Sequence, residues 1–444
     1  MKWFESDNFR SILRLAWPAI LSNITVPLLG FSDTFISGHL GSERYLAAIS
    51  AGTIMVNSLF WLFGFLRMGT TGLTATAFGA GDSEEQAAVF SRSLVISLLA
   101  GALLIIFSSP LCRLMLAIIS APQDVAASAS EYFSILILSS PAILATTAAS
   151  GRLVGRQNTL YPMCIALTVN VVNIALSMWL VFGLECGFRG VAIGTCVANW
   201  LGLVLALWLV ARQSGGERWI APARRLWSGG IGRFFKVNGW LMARSACMLA
   251  VTFAMTAFAA RIGTLAMALN AVMMQFFLLF SYFMDGFAFS AEALCGRYAG
   301  AKDFPMLRLS IRNLLIVGGI MSVIFSAAYG LSAPLIASLL TDSRAVVDAV
   351  ADMPLICWLL PWASVCAFIF DGIFIGLTRT GAMLLSTLIG MLLFFGAYPL
   401  LEMTGVITPS NALWSAFLLY LFARGAVLAI SLSHKAECIS HKYD

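Results

Sequence analysis

ILRLAWPAILSNITVPLLGFSDTFISGHL, residues Ile12 to Leu40, is a run long and apolar enough to cross a bilayer, because about 20 residues span the hydrocarbon core. It nonetheless carries Asp33 and two prolines, Pro18 and Pro27. A bare carboxylate near the middle of a spanning helix costs roughly 2.5–3.5 kcal/mol on insertion scales, so such residues usually face polar cavities. Prolines remove backbone donors and loosen the helix around them. Two readings are open. In one, Asp33 exchanges a proton or a metal ion and the helix moves as it does so. In the other, Asp33 is a helix-end residue near the interface and the prolines are routine kinks.

The remainder of the chain shares the character of this run. Of 444 residues, 60% are hydrophobic and 11% charged, with a mean hydropathy of +0.90. That composition belongs to a polytopic membrane protein. The first run has no small-residue cleavage site behind it and leads into further spans, so a retained first helix is expected rather than a signal peptide. Nine cysteines are scattered without a CxxC pair and there are three histidines, which argues against a Cys/His metal site. There is no HExxH, and His39, His434 and His441 fall at helix ends or in the tail, so no catalytic constellation supports an enzyme. No repeated polar ring or filter loop suggests a channel. The net charge of +6 sits in short loops, the pattern of topology signals rather than of nucleic-acid binding.

Hydropathy gives 12 candidate spans at 11–37, 46–77, 87–117, 126–154, 159–183, 189–212, 233–260, 267–298, 306–340, 346–378, 381–403 and 411–438. Placing the N-terminus in the cytoplasm collects most of the Lys and Arg there, including Arg218, Arg224 and Arg225. The other face keeps chiefly Arg44, Arg113, Arg189, Arg261 and Arg344, so both termini are expected inside. The Gly/Ser/Pro-rich connection 213–232 divides the spans six and six. The halves repeat at a constant offset of about 221 residues. FGAGD ending at Asp82 aligns with YAGAKD ending at Asp303, and SGRLVGRQNT from Ser150 with DGIFIGLTRT from Asp371. The second pair puts Gly151 against Gly372 and Gly155 against Gly376. An even number of spans per half makes the repeats parallel, related by an axis along the membrane normal, as in parallel-repeat transporters. The expected organisation is 1–212 as an N-lobe, 213–232 as a cytoplasmic linker and 233–444 as a C-lobe.

With these motifs in view, the chain resembles the multidrug and toxic compound extrusion (MATE) transporters and, among them, the DNA-damage-inducible F (DinF) type branch. DTFISGHLGSERYLAAIS, NVVNIALSMWLVFG, FRGVAIGTCVAN, MDGFAFSAEALCGRYAGAKD and DGIFIGLTRTGAM carry the likeness over essentially the whole chain. The resemblance implies an all-α membrane fold with two six-helix lobes in a V. It also implies monomeric efflux of organic, often cationic or amphipathic compounds driven by inward H+ or Na+, without a cofactor, in a bacterial inner membrane.

It further implies that Asp33 is the coupling carboxylate, grouped with Asn173, Ser177 and Thr195. Ser177 departs from the family pattern, where some members carry Asp. A lone carboxyl can be neutralised by one proton, whereas sodium would be better served by more negative charge and several oxygens; H+ is therefore favoured, with Na+ at the Asp33 site kept open. Asn170, one turn before Asn173, is a further donor candidate or an interhelical hydrogen-bonding residue. Pro18 matches the proline at which the family's first helix bends.

In the second half, Asp371 matches a family acidic residue that elsewhere contributes to a cation site. The seventh span lacks the accompanying Glu and carries Arg244, so a buried pair of Asp371 with Arg244 or Arg424 is the alternative. Asp285 and Glu292 lie seven apart and share a helix face; Glu292 pairing with Arg297 is the plain reading. Met273, Met274, Phe276, Phe277, Phe280 and Phe283 are candidates for lining a drug cavity or for ordinary core. Arg67, Arg244 and Arg424 leave open a flippase for lipid-linked saccharides, a relative within the same superfamily that would need a cationic cavity.

Overall fold

The computed structural model describes the backbone of residues 7–38, 43–119, 123–227 and 230–440, without the side chains of 26–34, 37, 43–44, 119, 123–124, 223 and 434–440. The first half runs α1 (Asp7–Gly38), α2 (Glu43–Leu62), α3 (Phe65–Gly79), α4 (Ser83–Ile106), α5 (Ser108–Ile119), α6 (Gln123–Leu136), α7 (Ser140–Gly155), α8 (Leu160–Met178) and α9 (Gly187–Ser214). The short α10 (Ala223–Leu226) lies in the connection. The second half runs α11 (Ile231–Ile262), α12 (Thr264–Gly300), α13 (Phe304–Leu340), α14 (Arg344–Ala351), α15 (Pro354–Gly376), α16 (Thr380–Thr404) and α17 (Pro409–Ser440). Among the described residues, 11 helical stretches are long and apolar enough to cross a membrane. The 32-residue α1 carries the opening run. In lipid every backbone polar group must be satisfied internally, which is why an apolar chain of this kind resolves into helices.

Two expected spans are each broken in two, both for a proline reason. The third, expected over 87–117, breaks at Phe107, where φ is −92° and ψ 15°. Pro110 cannot donate to the Ile106 carbonyl and its ring crowds that oxygen, so α5 starts afresh. The tenth, expected over 346–378, is a short separate α14 followed by α15. Met353 (φ −115°, ψ 41°) precedes Pro354, and a residue before proline is pushed out of the helical region.

The chain divides into two compact units. One holds Trp17–Phe235 with Gly300–Lys302, the other Met1–Ala16, Lys236–Ala299 and Asp303–Asp444. The 221-residue repeat persists to single hydrogen bonds. Asp82 caps α4 by accepting from the Glu85 N–H at 2.8 Å, and Asp303 caps α13 by accepting from the Met306 N–H at 3.1 Å. The turns after α7 and α15 match: the N–H groups of Arg156, Gln157 and Asn158 donate to Arg152, Val154 and Leu153. Those of Leu377, Thr378 and Arg379 donate to Ile373, Ile375 and Phe374. Gln157 and Thr378 both take positive φ, at 65° and 55°. The aligned glycines sit at equivalent helix crossings. A Cβ on Gly155 would lie 2.8 Å from the Thr71 carbonyl oxygen, and one on Gly376 would lie 2.7 Å from that of Glu292. Small residues at such points let backbones approach where no hydrophobic force pulls helices together in lipid.

The start of α1 is bolted into its unit by polar side chains. Buried Asn8 donates from Nδ2 to Ser310 Oγ at 2.7 Å and accepts at Oδ1 from Asn313 Nδ2 at 3.0 Å. Ser290 Oγ donates to the Ile12 carbonyl at 3.0 Å. From Trp17 onward the helix belongs to the other unit, so buried Pro18 follows the changeover by two residues from Ala16.

Candidate functional site

The polar set expected in the first half gathers on α8 and α9. Asn170, Asn173 and Ser177 fall at i, i+3 and i+7 and share one face of α8. That face meets α9 at GVAIG, Gly190 to Gly194: a Cβ on Gly194 would lie 2.6 Å from Ser177 Oγ, and one on Gly190 would lie 3.1 Å from Leu180 Cβ. The two small residues one turn apart permit this approach. It brings Asn173 Nδ2 to donate to Thr195 Oγ1 at 2.8 Å. Thr195 in turn donates to the Val191 carbonyl at 2.9 Å, and Ser177 Oγ reaches the same oxygen at 3.5 Å. Asn173 is 1% exposed, yet its Oδ1 has no partner among the described residues. An orphaned buried amide oxygen costs about 1–3 kcal/mol, so a donor or cation arriving there is favoured. Together Asn173 Oδ1 and the lone pairs of Ser177 and Thr195 present acceptors to whatever approaches.

α1 packs beside this set. Asn170 Nδ2 donates to Thr25 Oγ1 at 3.1 Å, and Thr25 donates to the Ser22 carbonyl at 2.7 Å. Thr25 is a contact the sequence did not single out, as is Asn199, which donates from Nδ2 to the Thr195 carbonyl at 2.9 Å. Each lies one turn or two from a residue that was, and that spacing was the available signal. Asp33 and Pro27 lie outside the described side chains; α1 continues through both to Gly38.

In the other unit, Asp371 on α15 is held between two cations. Oδ2 accepts from Arg244 Nη2 on α11 and from Arg424 Nη2 on α17, the latter at 2.6 Å. Both alternatives weighed from the sequence thus form at once. The arginine side chains are 3% and 5% exposed. Arg424 also stacks over the Tyr420 ring, 5.3 Å from its centroid. One carboxylate between two guanidiniums leaves a cluster of net charge +1, and two of the three arginines that could have met an anionic lipid saccharide, Arg244 and Arg424, are engaged with Asp371.

The remaining candidates are dispersed. Ser281 donates to Asp285 Oδ2 at 3.5 Å, and Glu292 is buried at 1% exposure. Met273, Phe276 and Phe280 are fully buried and Met274 is half-buried. Phe276 meets Tyr329 edge-on at 4.9 Å, and Phe280 meets Phe325 at 5.2 Å and Phe368 at 6.2 Å. Phe276 and Phe280 thus pack into an aromatic cluster with partners on α13 and α15, and Met273 is buried beside them on α12. Phe277 and Phe283 join the same cluster through Phe417 and Phe325. Among the described residues no group of three His, Cys, Asp or Glu side chains could hold a metal ion.

A two-unit membrane protein with an internal repeat, helical in its described spans, has many relatives. The family described as MatE matches residues 18–179 and 241–397. DNA damage-inducible protein F of Escherichia coli (strain K12) is 35% identical over 433 residues, 96% of this chain and 92% of that one. A MATE crystal structure in a bent conformation superposes with a TM-score of 0.87 at 18% identity, covering 99% and 98% of the two chains. An outward-facing multidrug resistance MATE transporter of the MOP superfamily gives 0.84 at 18%, with the same coverage. The chain belongs to the MatE family of efflux transporters; it is a multi-pass membrane protein and a secondary transporter, not an enzyme.

Proposed function

We propose that this chain is a proton-coupled antiporter that exports organic, often cationic or amphipathic compounds from a bacterial cytoplasm by alternating access. It works as a monomer in the inner membrane with both termini inside. Residues 1–212 and 233–444 act as its lobes and 213–232 as the cytoplasmic linker. Asp33 is the coupling group, served by Asn173, Ser177 and Thr195, with Asn170 tying α8 to α1. One observation carries the reading: buried Asn173 keeps an acceptor without a described donor, on the face that meets the helix bearing Asp33. A protonated carboxyl supplies such a donor. An ionised one repels the same oxygens and is drawn to water or to a cationic substrate. Loading and unloading a single proton therefore changes which neighbours Asp33 prefers, and Pro18 gives α1 a joint, because the Arg14 carbonyl has no proline N–H to receive.

A carboxyl with amide and hydroxyl oxygens is a set one proton can neutralise, which favours H+ over Na+. We assign Asp371 a structural role outside coupling, because Arg244 and Arg424 both hold its carboxylate; Asp285 and Glu292 are the remaining second-half candidates. The test is purified protein in liposomes, with ethidium movement followed under separately imposed pH and sodium gradients. A pH gradient alone should drive transport, Asp33→Asn should abolish it at normal protein yield, and Asp371→Asn that still folds should retain it. Full proton-driven transport by Asp33→Asn refutes the assignment, and sodium-only driving refutes the ion.

A further inference from the structure

The connection between the halves is built against α4 rather than hanging free. The Ala221 N–H donates to Ser91 Oγ at 2.9 Å, and Trp219 tilts onto Phe90 with centroids 6.2 Å apart. Further along, the buried guanidinium of Arg92 fastens α10. Nε donates to the Leu226 carbonyl at 3.0 Å, Nη2 to that of Arg225 at 3.2 Å and Nη1 to Glu85 Oε1 at 3.1 Å. Beside this staple lies a cavity of about 140 Å³. Val95, Ile96 and Leu99 of α4 form one wall and Trp227, Phe234 and Phe235 the other, and Arg92 is the single charged residue among those lining it.

Size and surroundings select the occupant. Pockets for drug-sized ligands run about 300–1,000 Å³, so this one is too small for an exported compound but fits a stretch of one hydrocarbon chain. Val95, Ile96 and Leu99 lie on the Ser83–Ile106 span, and Leu99 is about 10 Å further along the helix than Arg92 at 1.5 Å per residue. A chain lying along this face therefore starts at the level of the connection and points into the bilayer. Trp227 and Phe235 are 69% and 53% exposed, as aromatic residues at a membrane interface are. Arg218, Arg224 and Arg225 of the same connection and Arg233 at the start of α11 are exposed. Of the nearby acids, Glu217 pairs with Arg156 at 3.2 Å and Glu84 with Arg225 at 3.5 Å, while Glu85 is held by Arg92. Basic clusters of this kind beside a span attract anionic lipid headgroups.

We infer that the connection carries a binding site for an anionic phospholipid, one acyl chain filling the Val95–Leu99–Phe235 cavity and the phosphate facing Arg224 and Arg225. A lipid held there moors the segment joining the two halves to the membrane surface. The inference requires only that the connection lies at that surface, and it stands apart from the coupling mechanism.

The test is native mass spectrometry of the full-length protein titrated with dioleoylphosphatidylglycerol or dioleoylphosphatidylcholine, which share acyl chains and differ in headgroup charge. Arg224 contributes about fivefold and Arg225, shared with Glu84, adds less, so the wild type should hold the anionic lipid at least about fivefold better at low salt. Arg224→Gln combined with Arg225→Gln should bring the two lipids close to parity. Leu99→Trp fills the cavity from a lipid-exposed position and should release the tightly held molecule of either lipid. Quenching by brominated phosphatidylglycerol, taken as the difference between wild type and Trp227→Phe, reads the same site with every arginine in place and should exceed that by brominated phosphatidylcholine. Equal retention of the two lipids by the wild type, or a preference untouched by both variants, overturns the inference.

Discussion

Neutralising Asp371 should destabilise this protein far more than removing either arginine that grips it. The order follows from charge counting in a site where water cannot help. The intact cluster carries one negative and two positive charges, and each arginine is no more than 5% exposed. Asp371→Asn leaves two buried guanidiniums facing each other at net +2. Breaking a buried ion pair from one side costs about 3–5 kcal/mol, roughly a hundred- to several-thousand-fold in the folding equilibrium. Arg424→Met or Arg244→Met instead leaves one carboxylate with one guanidinium at net zero and loses a charged hydrogen bond, about 1.5–3 kcal/mol. The combined Asp371→Leu, Arg244→Met, Arg424→Leu variant replaces the cluster by carbon and should return to within about 1–2 kcal/mol of wild type, or exceed it. Thermal unfolding in detergent, followed by size-exclusion monodispersity and by labelling of newly exposed cysteines, ranks the four. Either Arg→Met change proving as damaging as Asp371→Asn would refute the electrostatic account. So would Asp371→Asn that unfolds at the wild-type temperature.

Asn173→Ala removes both the bond to Thr195 and the unpartnered oxygen; proton-driven transport should fall at least about tenfold, the effect of 1.4 kcal/mol, while melting temperature changes little, as initial rates in liposomes will show. Asn8→Ala strands the Asn313 amide and should cost about 1–3 kcal/mol, measured by thermal unfolding, with Asn313→Ala added to it costing less than the sum of the single changes. Gly155→Ala should cost about 1–3 kcal/mol by overpacking, because its Cβ would lie 2.7 Å from Thr74 Cβ, whereas Gly319→Ala, with nothing within 4 Å, should leave stability unchanged. Pro18→Ala restores a backbone donor to the first helix and should slow turnover several-fold while leaving abundance and apparent substrate affinity close to wild type, read as kcat against KM in the same liposomes.

Much of the architecture was legible because it is written in local pattern. Apolar run length set the spans, and Asp82 and Asp303 announced matching helix starts. Gly151 and Gly155 against Gly372 and Gly376 declared a duplication that the structure repeats down to paired turns and close backbone crossings. The breaks at Phe107 and Met353 were missed because hydropathy stays high across them while Pro110 and Pro354 interrupt the backbone. Likewise, the Met and Phe residues of α12 looked equally suited to a cavity or a core. Composition is blind to that difference; which rings Phe276 and Phe280 meet, Tyr329, Phe325 and Phe368, exists only in the packed structure.

What the chain determined alone, then, is everything that depends on neighbours a turn or two away: helical spans, caps, the repeat, and the face shared by Asn170, Asn173 and Ser177. What tertiary structure decided is which distant groups meet. Arg244, Asp371 and Arg424 come from three helices, and Asn8 finds Ser310 and Asn313 some three hundred residues on. Hydrogen bonds and ion pairs act over about 3 Å, and no pattern in a linear chain encodes a distance that exists only after the helices have packed.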